Sequence, residues 1–146
     1  MKIVTKAYGE IEADEKQRVT FPRGLFGFEG LTEYVLLDSE QEPFYWLQST
    51  EQAQVAFVLV NPFLFRSDYE LDISNEEMTE IGITSPDKAL IFAIVTIPYD
   101  DGKLTANLQG PIIINREKRI GMQAILTDSR WRTKHDILAE LEAVRK

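Results

Sequence analysis

Two uninterrupted apolar runs, Val55-Ala56-Phe57-Val58-Leu59-Val60 and Ala89 to Ile97, constrain this chain more than any other feature. Both are rich in β-branched and aromatic residues, and both stop at a proline, Pro62 or Pro98, which cannot donate a hydrogen bond to a ladder. A half-exposed strand alternates apolar with polar residues, whereas a continuously apolar one needs cover on both faces. Val55 to Val60 is therefore predicted as a central strand and Ala89 to Ile97 as a second long one. Neither run approaches the roughly 20 residues that a membrane-spanning helix requires.

Shorter strands are predicted around these two. Lys2 to Ile11 and Arg18 to Phe21 read as two strands near the amino end, followed by Glu33 to Asp38 and Phe44 to Gln48 with polar connections between them. Asp101-Gly102 marks a tight hairpin leading into Lys103 to Leu108, and Ile112 to Ile114 and Arg119 to Thr127 make two more strands around the turn Asn115 to Lys118. The Ser74-x-x-Glu77 spacing is a capping box and predicts a short helix to Ile81. From Thr133 onward, Ile137, Leu138, Leu141 and Val144 recur at helical spacing, so the chain closes on an amphipathic helix with Glu140, Glu142, Arg145 and Lys146 outside. About nine strands and two helices imply a mostly β fold: a small antiparallel, closed or half-open β-barrel with short peripheral helices and a C-terminal helix. The 146 residues suit one domain, 1–146, with no repeats or linkers.

Catalytic chemistry finds little purchase in this sequence. It contains no cysteine and one histidine, His135, which excludes thiolate chemistry, disulfides and paired-histidine metal sites. His135 lies among charged neighbours without a G-x-S-x-G elbow and reads as a surface residue. Glu76-Glu77 belongs to the capped helix and Asp100-Asp101 to a turn, so neither pair reads as a metal or acid/base site. No enzyme activity, cofactor, metal or small-molecule substrate is expected. Without cysteines, a signal peptide or a spanning segment, a soluble, cytoplasmic protein is expected.

Charge is divided unevenly. Through Ile114 there are 8 Lys/Arg against 19 Asp/Glu, and beyond it 8 against 5. An acidic body repels phosphate backbones and makes direct nucleic-acid binding a poor expectation. Arg130-Trp131-Arg132-Thr133-Lys134 is the counter-signal, since an exposed tryptophan beside arginines can stack on a base. Asp68-Tyr69-Glu70-Leu71-Asp72-Ile73 alternates acid with apolar residue and reads as a strand with an acidic face, either solvated or available to a basic partner. Phe21 to Glu29, FPRGLFGFE, reads as a bent loop in which two glycines permit positive φ while Phe21, Leu25, Phe26 and Phe28 anchor it. It lacks the Lys-Ser/Thr of a phosphate-binding loop. The late strands, with Pro111 and Gly121 as edge markers, could leave an apolar patch or open edge for another chain.

The runs TANLQGPIIIN at Thr105 and GMQAILT at Gly121, preceded by FPRGLFGFE, PFYWLQS at Pro43 and AFVLVNPF at Ala56, resemble the FliW family of bacterial flagellar assembly factors over nearly the whole chain. The resemblance implies a non-catalytic barrel that binds the translational regulator CsrA, antagonising its repression of flagellin synthesis, and alternately binds cytoplasmic flagellin. It places partner contacts on the late strand, at Ile125 and Leu126 supported by Met122 and Gln123, with Glu70 and Asp72 as acidic contributors. A flagellin chaperone without a regulatory partner and an RNA-binding β-barrel are the alternatives.

Overall fold

A computed structural model describes residues 1–98 and 102–145. The Asp101-Gly102 turn, the Asp100-Asp101 pair and Lys146 thus lie wholly or partly outside the described residues. The chain runs through β1 (Lys2–Thr5), β2 (Gly9–Glu12), β3 (Arg18–Thr20), β4 (Glu33–Asp38), β5 (Phe44–Ser49), β6 (Ala56–Val60), α1 (Asn75–Glu80), β7 (Ala89–Thr96), β8 (Thr105–Asn115), β9 (Gly121–Gln123), β10 (His135–Asp136) and α2 (Ile137–Arg145). All neighbouring strands pair antiparallel, in the order β10-β8-β7-β6-β5-β4-β3 with β9 also on β8, while β1 and β2 form a separate hairpin. A bridge between Thr20 and Ile120, with the Thr20 N–H donating to the Arg119 carbonyl at 3.0 Å, joins the β3 end of the sheet to the β8–β9 turn. The result is a nearly closed antiparallel barrel.

The central strand lies where its composition requires. β6 is hydrogen-bonded to β5 on one side and β7 on the other, and Leu59 and Val60 are buried. Cover is incomplete at Ala56, Phe57 and Val58, which are only half-buried. The amino end differs from expectation. Lys2 to Ile11 folds back on itself as β1 and β2, because Gly9 takes φ +68° and the Thr5 hydroxyl bridges the turn, accepting from the Tyr8 N–H and donating to the Gly9 carbonyl, both at 2.8 Å.

β8 shows the largest departure. Lys103 to Leu108 and Ile112 to Ile114 are expected as separate strands, but Thr105 to Leu108 and Ile112 to Ile114 belong to one strand of 11 residues. Gln109-Gly110-Pro111 does not end it, because the ladder to β7 slips between Phe92 and Ile94 and the Asn107 side chain takes over there. Its Oδ1 accepts from the N–H groups of Gln109 at 3.0 Å and Gly110 at 2.8 Å. Pro111 sits in the bulge, where its missing N–H costs no ladder bond, so it marks a bend in an interior strand and not an edge. Beyond β8, Gly121 to Gln123 of the expected Arg119 to Thr127 strand forms β9, and Ile120 adds the bridge to Thr20.

The helices also refine the sequence reading. Ser74 caps α1, its Oγ accepting from the Glu77 N–H at 3.2 Å. α2 starts at Ile137 instead of Thr133, and of its expected apolar stripe Ile137 is buried and Leu141 half-buried, while Leu138 and Val144 face outward at 64% and 57% exposure.

The core forms where the sheet curls over the last segment. One cluster surrounds Trp131, Phe65, Leu108 and Leu126, and a second surrounds Phe21, Tyr34, Leu47, Leu59 and Ile112. Trp131 is 1% exposed, which corrects the expectation of an exposed stacking tryptophan. Arg66 and Arg130 lie over its ring at 4.7 and 4.8 Å, and Tyr69 meets it edge-on at 4.8 Å. His135 is buried too, against the surface reading. Its Nε2 accepts from the Arg132 N–H at 2.9 Å, so the neutral ring carries its proton on Nδ1 and donates to Glu140 at 3.0 Å. The cations flanking Trp131 are thus engaged in covering a core ring.

Gly121 lets β9 approach the core. A Cβ there would come within 2.6 Å of the Phe21 ring. Gly121→Ala is therefore expected to destabilise by about 1–3 kcal/mol, read from urea denaturation, with Phe21→Leu in the same chain recovering part of the loss. No recovery would mean that the strain lies in the backbone.

The Arg66 guanidinium donates to both oxygens of Asp68 at 2.8 Å and holds that carboxyl at about 2, below its ordinary 3.8. A lowered folded-state pKa adds stability that is complete above the unfolded value and disappears as pH falls from about 4 toward 2. Asp68 is 55% exposed, so screening by solvent keeps the effect small. Asp68→Asn should make the acid limb of a stability-versus-pH curve slightly shallower in that window.

Candidate partner-binding surface

The FPRGLFGFE loop divides its aromatic residues between the two sides of the protein surface. Gly24 takes φ +67° with the backbone of Phe28 and Glu29 packed so close that a Cβ would meet it at 2.7 Å, so only glycine fits. This tight turn sends Phe21 and Leu25 inward, at 0% and 1% exposure, and leaves Phe26 and Phe28 outside at 49% and 38%. The expected four anchors are therefore two. Phe28 packs edge-on against Phe57, whereas Phe26 projects beside β9.

Gln123 fixes that placement. Its Oε1 accepts from the Phe26 N–H at 3.0 Å, and its Nε2 donates to the Gly110 carbonyl at 3.0 Å, which ties the loop to the bulge of β8. After Gln123 the chain alternates. Ala124 and Leu126 turn inward, with the Leu126 N–H donating to the Gln109 carbonyl at 2.8 Å, and Ile125 turns outward at 63% exposure. Phe26, Met122 and Ile125 together line an open groove of about 370 Å³ with an acidic rim of Glu29, Glu77 and Glu80; across it Arg23 pairs with Glu80 at 2.9 Å. An apolar floor that expels water inside a charged rim is the anatomy of a protein-binding surface.

The site residues inferred from sequence meet this geometry unevenly. Met122, Gln123 and Ile125 come together in the groove. Leu126 does not: it is 1% exposed and packs beside Trp131, because alternation along an extended chain puts it on the face opposite Ile125. Glu70 and Asp72 are exposed but lie outside the groove, Glu70 pairing with Arg130 at 3.3 Å. The acidic rim comes instead from Glu29 and α1. Phe26 was not legible: the sequence assigns all four apolar residues of the loop to its anchor, and the Gly24 turn decides which of them leave. Among the described residues no group of three or more His, Asp or Glu could hold a metal ion, and no helix is long and apolar enough to cross a membrane.

Comparison with known proteins agrees with this architecture. Residues 2–137 match the family described as FliW protein. The chain belongs to the FliW family. The flagellar assembly factor FliW of Treponema denticola is 50% identical over 98% of this chain and 97% of its own. That of Treponema pallidum is 46% identical over 97% of this chain and 94% of its own. A crystal structure of the flagellar assembly factor FliW superposes with a TM-score of 0.86 at 39% identity, covering 94% of this chain and 96% of that one. The FliW barrel, with its few helices and C-terminal helix, is thus the fold of this protein.

Neighbouring residues on opposite faces separate surface from core. Ile125→Arg should leave the urea midpoint nearly unchanged, within about 0.5 kcal/mol, as surface substitutions do. Leu126→Arg, which buries an unpaired charge, should cost more than about 3 kcal/mol or prevent folding. Equal losses at both positions would mean that the outward face of this segment is also buried.

Proposed function

We propose that this FliW-family protein is a non-catalytic cytoplasmic switch that binds the translational regulator CsrA, antagonising its repression of flagellin synthesis, and releases it when unexported flagellin binds instead. The observation that carries this reading is the groove of Phe26, Met122 and Ile125 within a rim of carboxylates. Its floor offers an apolar anchor, and its rim favours a partner with basic residues around an apolar centre. A translational regulator must present cations to RNA, and such a surface is steered toward an acidic one. The net charge of −8 supports the antagonism as well, since an acidic protein held beside a regulator repels the RNA phosphates without covering the RNA site.

The switch is tested by titrating the protein calorimetrically with CsrA, then repeating the titration after saturation with flagellin. Binding that flagellin weakens at least about tenfold is expected, and Ile125→Arg should weaken CsrA binding by a similar factor through the loss of an interface anchor. Flagellin binding without CsrA binding would make the protein a dedicated flagellin chaperone, and binding to neither would overturn the reading.

A further inference from the structure

Asp68 to Ile73 carries the sequence pattern of a strand and has the alternation of one, but no strand lies beside it. Tyr69 is buried and Leu71 and Ile73 are half-buried, while Asp68, Glu70 and Asp72 are exposed. The backbone is hydrogen-bonded just before this stretch, where the Tyr69 N–H donates to the Arg66 carbonyl at 3.0 Å. It is bonded again at α1, where the Met78 N–H donates to the Ser74 carbonyl at 3.1 Å. From Glu70 to Ile73 no backbone N–H or carbonyl has a partner among the described residues. Side chains hold the segment in place. The Tyr69 hydroxyl donates to the buried Leu108 carbonyl at 2.6 Å, and Leu71 and Ile73 pack on the hydrophobic clusters beneath.

We propose that Glu70–Ile73 is a docking edge for an extended segment of another protein, alternating apolar with basic residues, which adds to it as a strand. Four consecutive residues with unpaired backbone groups, already ordered from within, give hydrogen bonds at little further entropic cost. Alongside lies a groove of about 470 Å³ lined by Phe63, Leu71, Ile73, Met78, Ile83 and Ile91, which takes the apolar side chains of the incoming strand. The outward face carries Asp68, Glu70 and Asp72; Arg66 and Arg130 pair with the first two, and Asp72 has no ion-pair partner among the described residues. A second copy pairing through the same edge would set acids against acids, which is destabilising, so the occupant is a different, basic chain. The other edges of the barrel sheet are poorer templates. β9 has three residues and β10 two, and the end of β3 is occupied by its bridge to Ile120. This edge is separate from the Phe26 groove and does not depend on the function proposed for that groove.

The probe is a fluorescein-labelled synthetic octapeptide of alternating valine and lysine, titrated into the full chain and followed by anisotropy and by amide hydrogen exchange. Saturating peptide is expected to slow exchange in Glu70–Ile73 by at least about tenfold, since an amide engaged in a ladder is shielded from water. N-methylation along one edge of the peptide should weaken binding by about tenfold or more, and along the other edge should leave it unchanged, because only one edge of an added strand pairs. Asp72→Lys should weaken it by about tenfold at low salt, while Ile125→Arg should not alter it. Four results would each overturn the proposal: no binding, equal binding by both N-methylated isomers, protection confined to β3, β9 or β10, or loss of binding in Ile125→Arg.

Discussion

The barrel depends on a strand that bends without breaking. β8 pairs with β7, with β10 near its start and with β9 near its end, and it bends between the two. Asn107 resolves this by turning its side-chain oxygen onto the N–H groups of Gln109 and Gly110, so the backbone donors released by the bulge are satisfied locally. The carbonyls on either side of the bend are then free for other uses. That of Leu108 accepts from Tyr69, that of Pro111 from the Ala124 N–H, and that of Gly110 from Gln123. Through these three bonds the bulge holds the 68–73 segment, the segment after β9 and, by way of Gln123, the loop that presents Phe26. Strand curvature and surface geometry therefore have one origin.

Charge works differently inside and outside. Two cations are engaged within the molecule: Arg130 spans Asp128, Glu70 and the Trp131 ring, and Arg66 spans Asp68, Glu140 and the same ring. Covering an indole with guanidinium planes satisfies an aromatic face where an aliphatic side chain would leave the arginines without partners. Exposed carboxylates without such partners remain on the surface, Glu29 and Glu77 at the Phe26 groove and Asp72 on the 68–73 edge. An acidic surface repels phosphate backbones.

Much of the fold was legible in the sequence because strand and helix patterns are local. β4 was read with its boundaries, β5 and β6 to within one residue, and the Ser74 cap at its atom, since alternation, proline stops and capping hydroxyls act over a few residues. The failures share a cause. His135 and Trp131 looked exposed because their neighbours in sequence are charged, but Arg66 and Arg130 cover the Trp131 ring and His135 is buried against Glu140. Gly110-Pro111 looked like a strand end because the remedy, Asn107, works through a side chain that sequence periodicity does not register. Of the residues expected at partner contacts, Met122, Gln123 and Ile125 lie in the groove and Leu126 is buried, because a pair of adjacent apolar residues does not declare which of them faces out until the strand has a sheet to face.

By itself the sequence determined the class of fold, the order of its elements, the lack of thiol or multi-histidine chemistry, and the acidity of the body. These follow from composition and from interactions a few residues apart. Only the tertiary structure decided which apolar residues stay outside, which arginines remain available, and that Glu70 to Ile73 has no neighbour. Each of these depends on whether a group distant in the chain arrives to cover it, and that is settled by how the barrel closes.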